Sequence, residues 1–164
     1  MFLSGHPLDH YRFELKYYGI MPINDYNEFK GGIELQKSPN QALKLAGLVT
    51  SAQHKISRAG KKYGSITIED FSGKVEITLF GDMYVKFSNY FVAGSCIHIK
   101  GNFEKWESRN EWNFRVSEIC LLETIKRVFT RQLQLTLQAG SITESYAAFL
   151  HHNLKKNPGK TRLK

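Results

Sequence analysis

A mainly β fold is what the sequence predicts: a five-stranded Greek-key barrel, preceded by a helical segment and followed by a truncated strand–helix–strand unit. Three observations carry that expectation. Between Leu43 and Glu123 the apolar residues recur with a period of two, in five runs. After the third run, a stretch with apolar residues three or four apart interrupts the alternation. The first run is broken by Gly47, which suits a bulge or a tight bend of a strand wrapping around a barrel.

Each element has its own signal. "SGHPLDHYRFELKYYG" predicts a capped helix, with Pro7 in its first turn, a stripe of Leu8, Tyr11, Leu15 and Tyr18, and Gly19 to stop it. "DYNEFKGGIELQKSPNQ" is rich in turn formers and reads as a connector. "LKLAGLVTSAQHKI" is the first strand. "YGSITIED" and "GKVEITLFGD" are the second and third, joined at Phe71, Ser72 and Gly73, where Asp70 can bond the backbone of the turn. "MYVKFSNYFVAG" has helical spacing at Met83, Phe87 and Phe91. "SCIHIKGNFEKW" and "EWNFRVSEICLLE" form the last hairpin. Pairing Phe103 with Phe114 and Gly101 with Val116 keeps its apolar sets on one face, turns Trp112 inward and leaves Trp106 across from Glu111. Three strands, a short helix and two more strands are the order of the five-stranded oligonucleotide/oligosaccharide-binding (OB) barrel. An SH3-like barrel is the alternative, and the helix between the third and fourth strands argues against it.

After Arg127 the pattern changes again. "RQLQLTLQ" alternates like a strand, and "SITESYAAFLHHNLKKN" has Ser141 and Glu144 at capping-box spacing before a stripe of Tyr146, Phe149, Leu150 and Leu154. "PGKTRLK" begins what reads as a further strand. The expected organisation is a helical segment and connector at 1–42, the OB domain at 43–125, and the start of a further domain at 126–164. Such a unit buries its own face poorly, so the chain reads as a piece of a larger protein.

Composition narrows the function. The 164 residues are 41% apolar and 13% aromatic, which is globular rather than disordered. No apolar run approaches the ~18 residues of a membrane span, so no membrane partner is expected and a cytoplasmic location is the default. Cys96 and Cys120 are too few for a disulfide framework and read as buried free thiols. The net charge of +8 is unevenly placed: residues 126–164 hold 8 basic and 1 acidic side chain, whereas 43–125 hold 11 and 9. Basicity overall is therefore weak evidence for nucleic-acid binding, and local clusters are better evidence.

No catalytic constellation stands out. His54 and His98 are separate, and His151 and His152 are adjacent on a helix, so their side chains diverge. All read as surface histidines. There is no phosphate-binding glycine loop and no nucleophile elbow, so no catalytic residue, metal ligand or cofactor is assigned to this chain.

The binding candidates are in the barrel. Lys55, Arg58, Lys61 and Lys62 place four cations within eight residues between the first two strands, with no acid among them. Sites for single strands combine such charge with aromatic faces on which bases stack. Strand parity buries Ile66, Ile68, Val75, Ile77 and Leu79, so Tyr63 and Phe80 point outward. Lys105, Trp106 and Arg109 form a second candidate group at the loop between the last two strands. The plainer readings are a solvated hairpin tip, an outer face covered by residues 1–42, and a tryptophan closing a barrel end.

The residues also resemble one family. "FLSGHPLDHYRFEL", then "LKLAGLVTSAQHKISRAGKKYGSITIEDFSGKVEITLF", then "LKKNPGKTRLK", are similar in order to the C-terminal region of the alpha (catalytic) subunit of bacterial DNA polymerase III. The barrel motif is also similar to the anticodon-binding domains of class II lysyl-, aspartyl- and asparaginyl-tRNA synthetases. The polymerase resemblance implies a DNA-directed DNA polymerase whose magnesium ions, deoxynucleoside triphosphates and catalytic carboxylates belong to regions outside this sequence. It also implies an OB domain on single-stranded template, and a following domain that binds the tau subunit of the clamp loader within the holoenzyme. The competing expectations are a tRNA anticodon-binding domain, a protein-interaction scaffold that touches no nucleic acid, and a free-standing nuclease or deaminase, for which no ligand set is present.

Overall fold

The computed structural model describes residues 5–32, 41–106, 111–129, 140 and 143–156. Two compact units divide the chain at Arg127 and Val128. The first contains a five-stranded antiparallel sheet of strands β1 (Leu43–Ile56), β2 (Lys62–Glu69), β3 (Lys74–Phe80), β4 (Cys96–Trp106) and β5 (Glu111–Leu121), in the order β3-β2-β1-β4-β5. Strand β1 pairs with β4 through Leu43–Leu48 and with β2 from Leu48 onward, so it belongs to both halves of the curled sheet.

Gly47 sits at that changeover. A Cβ there would lie 2.8 Å from the Glu69 carbonyl oxygen, so only glycine allows β1 to cross the end of β2 this closely. The bulge itself falls three residues later. Thr50 is the extra residue between the Val49–Ile68 and Ser51–Thr67 pairs.

The alternation read from sequence holds inside the barrel. Ile66, Ile68, Val75, Ile77 and Leu79 are all buried, together with Leu45, Ile97, Ile99 and Phe103. Phe103 pairs with Phe114, Gly101 with Val116 and Trp106 with Glu111, as the hydrophobic parity requires. No ladder joins β3 to β5 among the described residues, so the barrel is open along that seam.

The seam is filled by a helix where a connector was expected. Helix α1 (Arg12–Tyr17) follows a 3-10 turn at Pro7–Tyr11, and α2 (Ile23–Gly31) then lies across the opening. Its Tyr26 stacks on Phe103 at 5.6 Å and meets Phe114 edge-on at 5.3 Å, while Asn27 Nδ2 donates to the Lys74 carbonyl on edge strand β3. Asp70 ties α2 to the β2–β3 turn: one carboxylate oxygen accepts from Ile23 N, the other from Ser72 N, Ser72 Oγ and Gly73 N. Turn-forming Asn, Asp and Gly masked the spacing of Ile23, Tyr26 and Phe29. Tertiary burial outweighed their weak helix propensity.

Helix α3 (Gly81–Phe87) closes the barrel end beneath β2 and is shorter than the sequence suggested. It passes into a 3-10 turn at Ser88–Tyr90, and Phe91 enters the core from a tight turn in which Val92 N donates to the Tyr90 carbonyl. Gly64 makes room for it, since a Cβ there would lie 2.6 Å from the Tyr84 ring and 3.0 Å from Phe91.

A second, smaller core lies outside the sheet over β1 and β4. Leu8, Ala46, His98, Leu122 and Ile125 are buried there, beneath the Pro7–Tyr11 turn, α1 and the start of α4 (Ile125–Phe129). His98 is 1% exposed, which corrects its assignment to the surface. It points outward from β4, but that outward face is covered. Burial and the nearby Lys44 and Lys100 pull its pKa down to about 4. Cys96 and Cys120 are free and partly buried, and burial pushes both thiols up. Glu14 on α1 is buried and accepts a 2.8 Å ion pair from Lys126 on α4.

In the second unit, α5 (Glu144–Lys156) forms where the sequence predicts a helix. Thr143 caps it, its Oγ1 accepting from Tyr146 N at 3.2 Å. Tyr146 and Leu150 are partly covered, and Phe149 and Leu154 are exposed. Ser141, the strand expected at "RQLQLTLQ" and the segment "PGKTRLK" lie outside the described residues.

Candidate nucleic-acid interface

In an antiparallel sheet, residues directly opposite one another share a face. Lys55 on β1 is opposite Tyr63 on β2, and Tyr63 is opposite Phe80 on β3, so the three form one row across the outer face. The next rows inward are Gln53, Ser65 and Thr78, then Ser51, Thr67 and Glu76. The outer face thus runs from cationic and aromatic at one end, past the buried Ser65 and the hydroxyls of Thr67 and Thr78, to Glu76 and the Glu69–Lys74 pair.

Tyr63 and Phe80 stack on each other at 5.5 Å with an 18° angle between their planes. Phe80 is 66% exposed, so nothing from residues 5–32 covers it. A phenylalanine held open to water on an edge strand, beside a parallel ring, is an apolar face available to a planar group.

The cations stand at one end of this row. The turn beyond Ile56 is built by Ser57, whose N–H donates to the Lys61 carbonyl, whose carbonyl accepts from Gly60 N, and whose Oγ accepts from Lys61 N. Gly60 adopts φ +73°, the left-handed conformation that this tight turn needs. Lys55, Arg58, Lys61 and Lys62 are all exposed, and none forms an ion pair among the described residues.

Parity divides the group that sequence had treated as one. Lys55 shares the face of Tyr63, whereas Lys62 pairs with Ile56 on the opposite face. The second candidate group is not in the row. Strand β4 meets β1 at its beginning, Leu43 opposite Gly101, so Lys105 and Trp106 lie toward the other end of β1 from Lys55. Lys105 is exposed and opposite Trp112. Arg109 lies outside the described residues.

Two contacts near the site escaped the sequence. His54 Nδ1 and the Tyr84 hydroxyl are 2.7 Å apart, which fixes α3 to the underside of the β1–β2 ribbon. Phe71, at the β2–β3 turn, packs against His6 at 4.9 Å and lies under the Arg12 guanidinium at 5.0 Å. Both contacts join residues far apart in sequence, where periodicity carries no signal. No cluster of three or more His, Cys, Asp or Glu able to hold a metal occurs among the described residues, and no helix among them is long and apolar enough to cross a membrane.

Comparison with known proteins bears on the fold that carries this face. Residues 43–122 match the family described as "OB-fold nucleic acid binding domain". The chain is 24% identical over 146 residues to the DNA polymerase III alpha subunit of Pasteurella multocida, covering 89% of this chain and 12% of that protein. It is 25% identical over 146 residues to the Haemophilus influenzae alpha subunit, with the same coverage. The chain therefore spans about an eighth of the length of the curated relatives it matches. Among solved structures, the second OB-fold domain of replication protein A from Methanococcus maripaludis matches 52% of this chain and 87% of that one, at 18% identity and a TM-score of 0.33. Residues 43–122 are thus an OB-fold nucleic-acid-binding domain, in a chain similar along most of its length to the alpha subunit of bacterial DNA polymerase III.

Proposed function

We propose that this chain is the single-stranded DNA-binding module of a DNA polymerase III alpha subunit, holding template near the polymerase during replication. The observation that carries the reading is the row Lys55–Tyr63–Phe80, in which an exposed ring ends a stack beside a basic turn. Stacking on Phe80 is tolerant of sequence because every base has a π-face, and the cations hold phosphates without reading bases. A template-holding site needs that tolerance.

On this reading the whole protein is the nucleotidyltransferase. Magnesium ions and deoxynucleoside triphosphates are held elsewhere in it, and the site of action is the cytoplasm. Residues after 126 begin a region that, in the intact protein, meets the tau subunit and other holoenzyme components. Lys105, exposed toward the other end of β1, extends the contact along the strand.

Salt dependence tests the reading. Three or four phosphate contacts give log K against log salt a slope of about −2 to −3 for a single strand. Replacing Lys55 and Lys61 together by Glu is expected to flatten it by about one unit or more. An unchanged slope would remove the turn from the site. Titration with tRNA alongside single-stranded DNA separates the anticodon-binding alternative, which tighter tRNA binding would favour.

A further inference from the structure

The arm made by the ends of β1 and β2 has two faces, and both carry cations. β4 leaves β1 at Leu48, and β3 ends at Phe80, opposite Tyr63. Ile56, Lys62 and the turn between them therefore project past both neighbouring strands. The three hydrogen bonds around Ser57 hold this tip in one shape. Lys55 lies on the aromatic face, and Ile56 with its partner Lys62 lies on the other. Ile56 is 69% exposed, an aliphatic side chain at the end of a basic arm that the barrel core does not use.

A single strand lying along Phe80, Tyr63 and Lys55 touches one face of the arm only. It leaves Ile56 in water and Lys62 without a phosphate. Two diverging strands would occupy both faces.

We propose that the ligand of this site is forked DNA, a junction of duplex and single strand, with the arm at the point where the strands part. The inference rests on the single-strand reading above and adds the second strand to it. Lys55 meets the phosphates of the strand on the aromatic row. Lys62 meets those of the strand leaving on the other side, and Ile56 packs against the open face of the last base pair. Apolar side chains placed against base steps in this way are a known mode of protein–DNA contact.

The test titrates the 164-residue chain with a single-stranded oligonucleotide, and with a fork bearing the same single strand, across a range of salt. One further exposed charge contact predicts that the fork binds about 1.5- to fivefold more tightly. Its salt slope should be steeper by about 0.7 to 0.9. Ile56→Thr keeps the β-branched side chain shape that suits a strand, and is expected to reduce the fork's advantage while single-strand affinity stays the same. Lys62→Glu should remove the extra slope. Melting temperatures of both variants, expected to match the parent, exclude a folding effect. Equal affinity of the parent chain for fork and single strand overturns this inference and leaves the single-strand reading standing. Loss of both affinities in equal measure by Ile56→Thr also overturns it, because the tip would then belong to the single-strand site. Absence of binding to either ligand overturns both readings together.

Discussion

The Tyr63 and Phe80 rings lie nearly parallel, so each covers one face of the other. Phe80 keeps its outward face at the sheet edge, whereas Tyr63 is flanked on its other side by Lys55 and is only partly exposed. A base can extend the stack at Phe80, and Tyr63 then holds that ring upright. Stacking is worth about 1–3 kcal/mol per base, so Phe80→Ala is expected to weaken single-strand binding by about five- to over a hundredfold. Tyr63→Ala should cost less, since it acts through Phe80. A larger loss from Tyr63→Ala in the same titration would reverse that order. The outward direction of both rings was legible from parity alone. Their mutual stacking was not, because it depends on the β2–β3 register, which leaves no mark within either strand.

His98 supplies a prediction of another kind. Its folded pKa of about 4 lies below the 6.5 of an exposed imidazole, so the unfolded chain binds the extra proton. The stabilising contribution is complete above pH 6.5 and is lost progressively as pH falls toward 4. The loss across that window is about 3 kcal/mol at most. Denaturant unfolding at pH 7 and pH 4.5 measures it. His98→Gln should flatten the dependence, and an equal loss in the variant would place the titration elsewhere.

At the scale of elements, α2 does what a barrel strand would do at a closed seam. Its Tyr26 fills the space between β3 and the β4–β5 hairpin, and Asn27 occupies an edge carbonyl. Removing a buried aromatic side chain costs about 3–5 kcal/mol, so Tyr26→Ala should destabilise the unit by that order. Chemical denaturation checks it. Gly64→Ala should also destabilise, by about 1–3 kcal/mol, because its methyl group would press on the Tyr84 and Phe91 rings. The strands and the register of the β4–β5 hairpin could be read from sequence because a period of two fixes one face at a time. The helix over the seam could not, since Asp25, Asn27 and Gly31 signal turns locally and only Phe103 and Phe114, far along the chain, make Tyr26 a core residue. The covered face over β4 was hidden for the same reason: parity tells which way His98 points, but not that this face is buried.

At the scale of the whole sheet, the outer surface is divided between two tasks. Over β1 and β4 it is sealed by the 3-10 turn, α1 and α4, while over β2 and β3 Phe80, Thr78 and Glu76 are exposed, Tyr63 and Thr67 are half-buried and Ser65 is buried. If a single strand binds this face as proposed, the separation of cationic tip and ring stack has a consequence in time as well as in affinity. The charges at the tip act on a strand before contact and set how often it arrives, whereas the ring stack acts only once a base is in place and sets how long it stays. Because the two rings already lie against each other, arrival requires no rearrangement, and departure frees a single ring face. Stopped-flow mixing should therefore show Lys55→Glu slowing association, steeply dependent on salt, and Phe80→Leu hastening dissociation with little salt effect. Beyond the rings the strand would cross Thr78 and the half-buried Thr67, hydroxyl groups that grip no particular base. On the proposed function, a template on such a surface would be caught quickly, held briefly, and free to advance one nucleotide at a time.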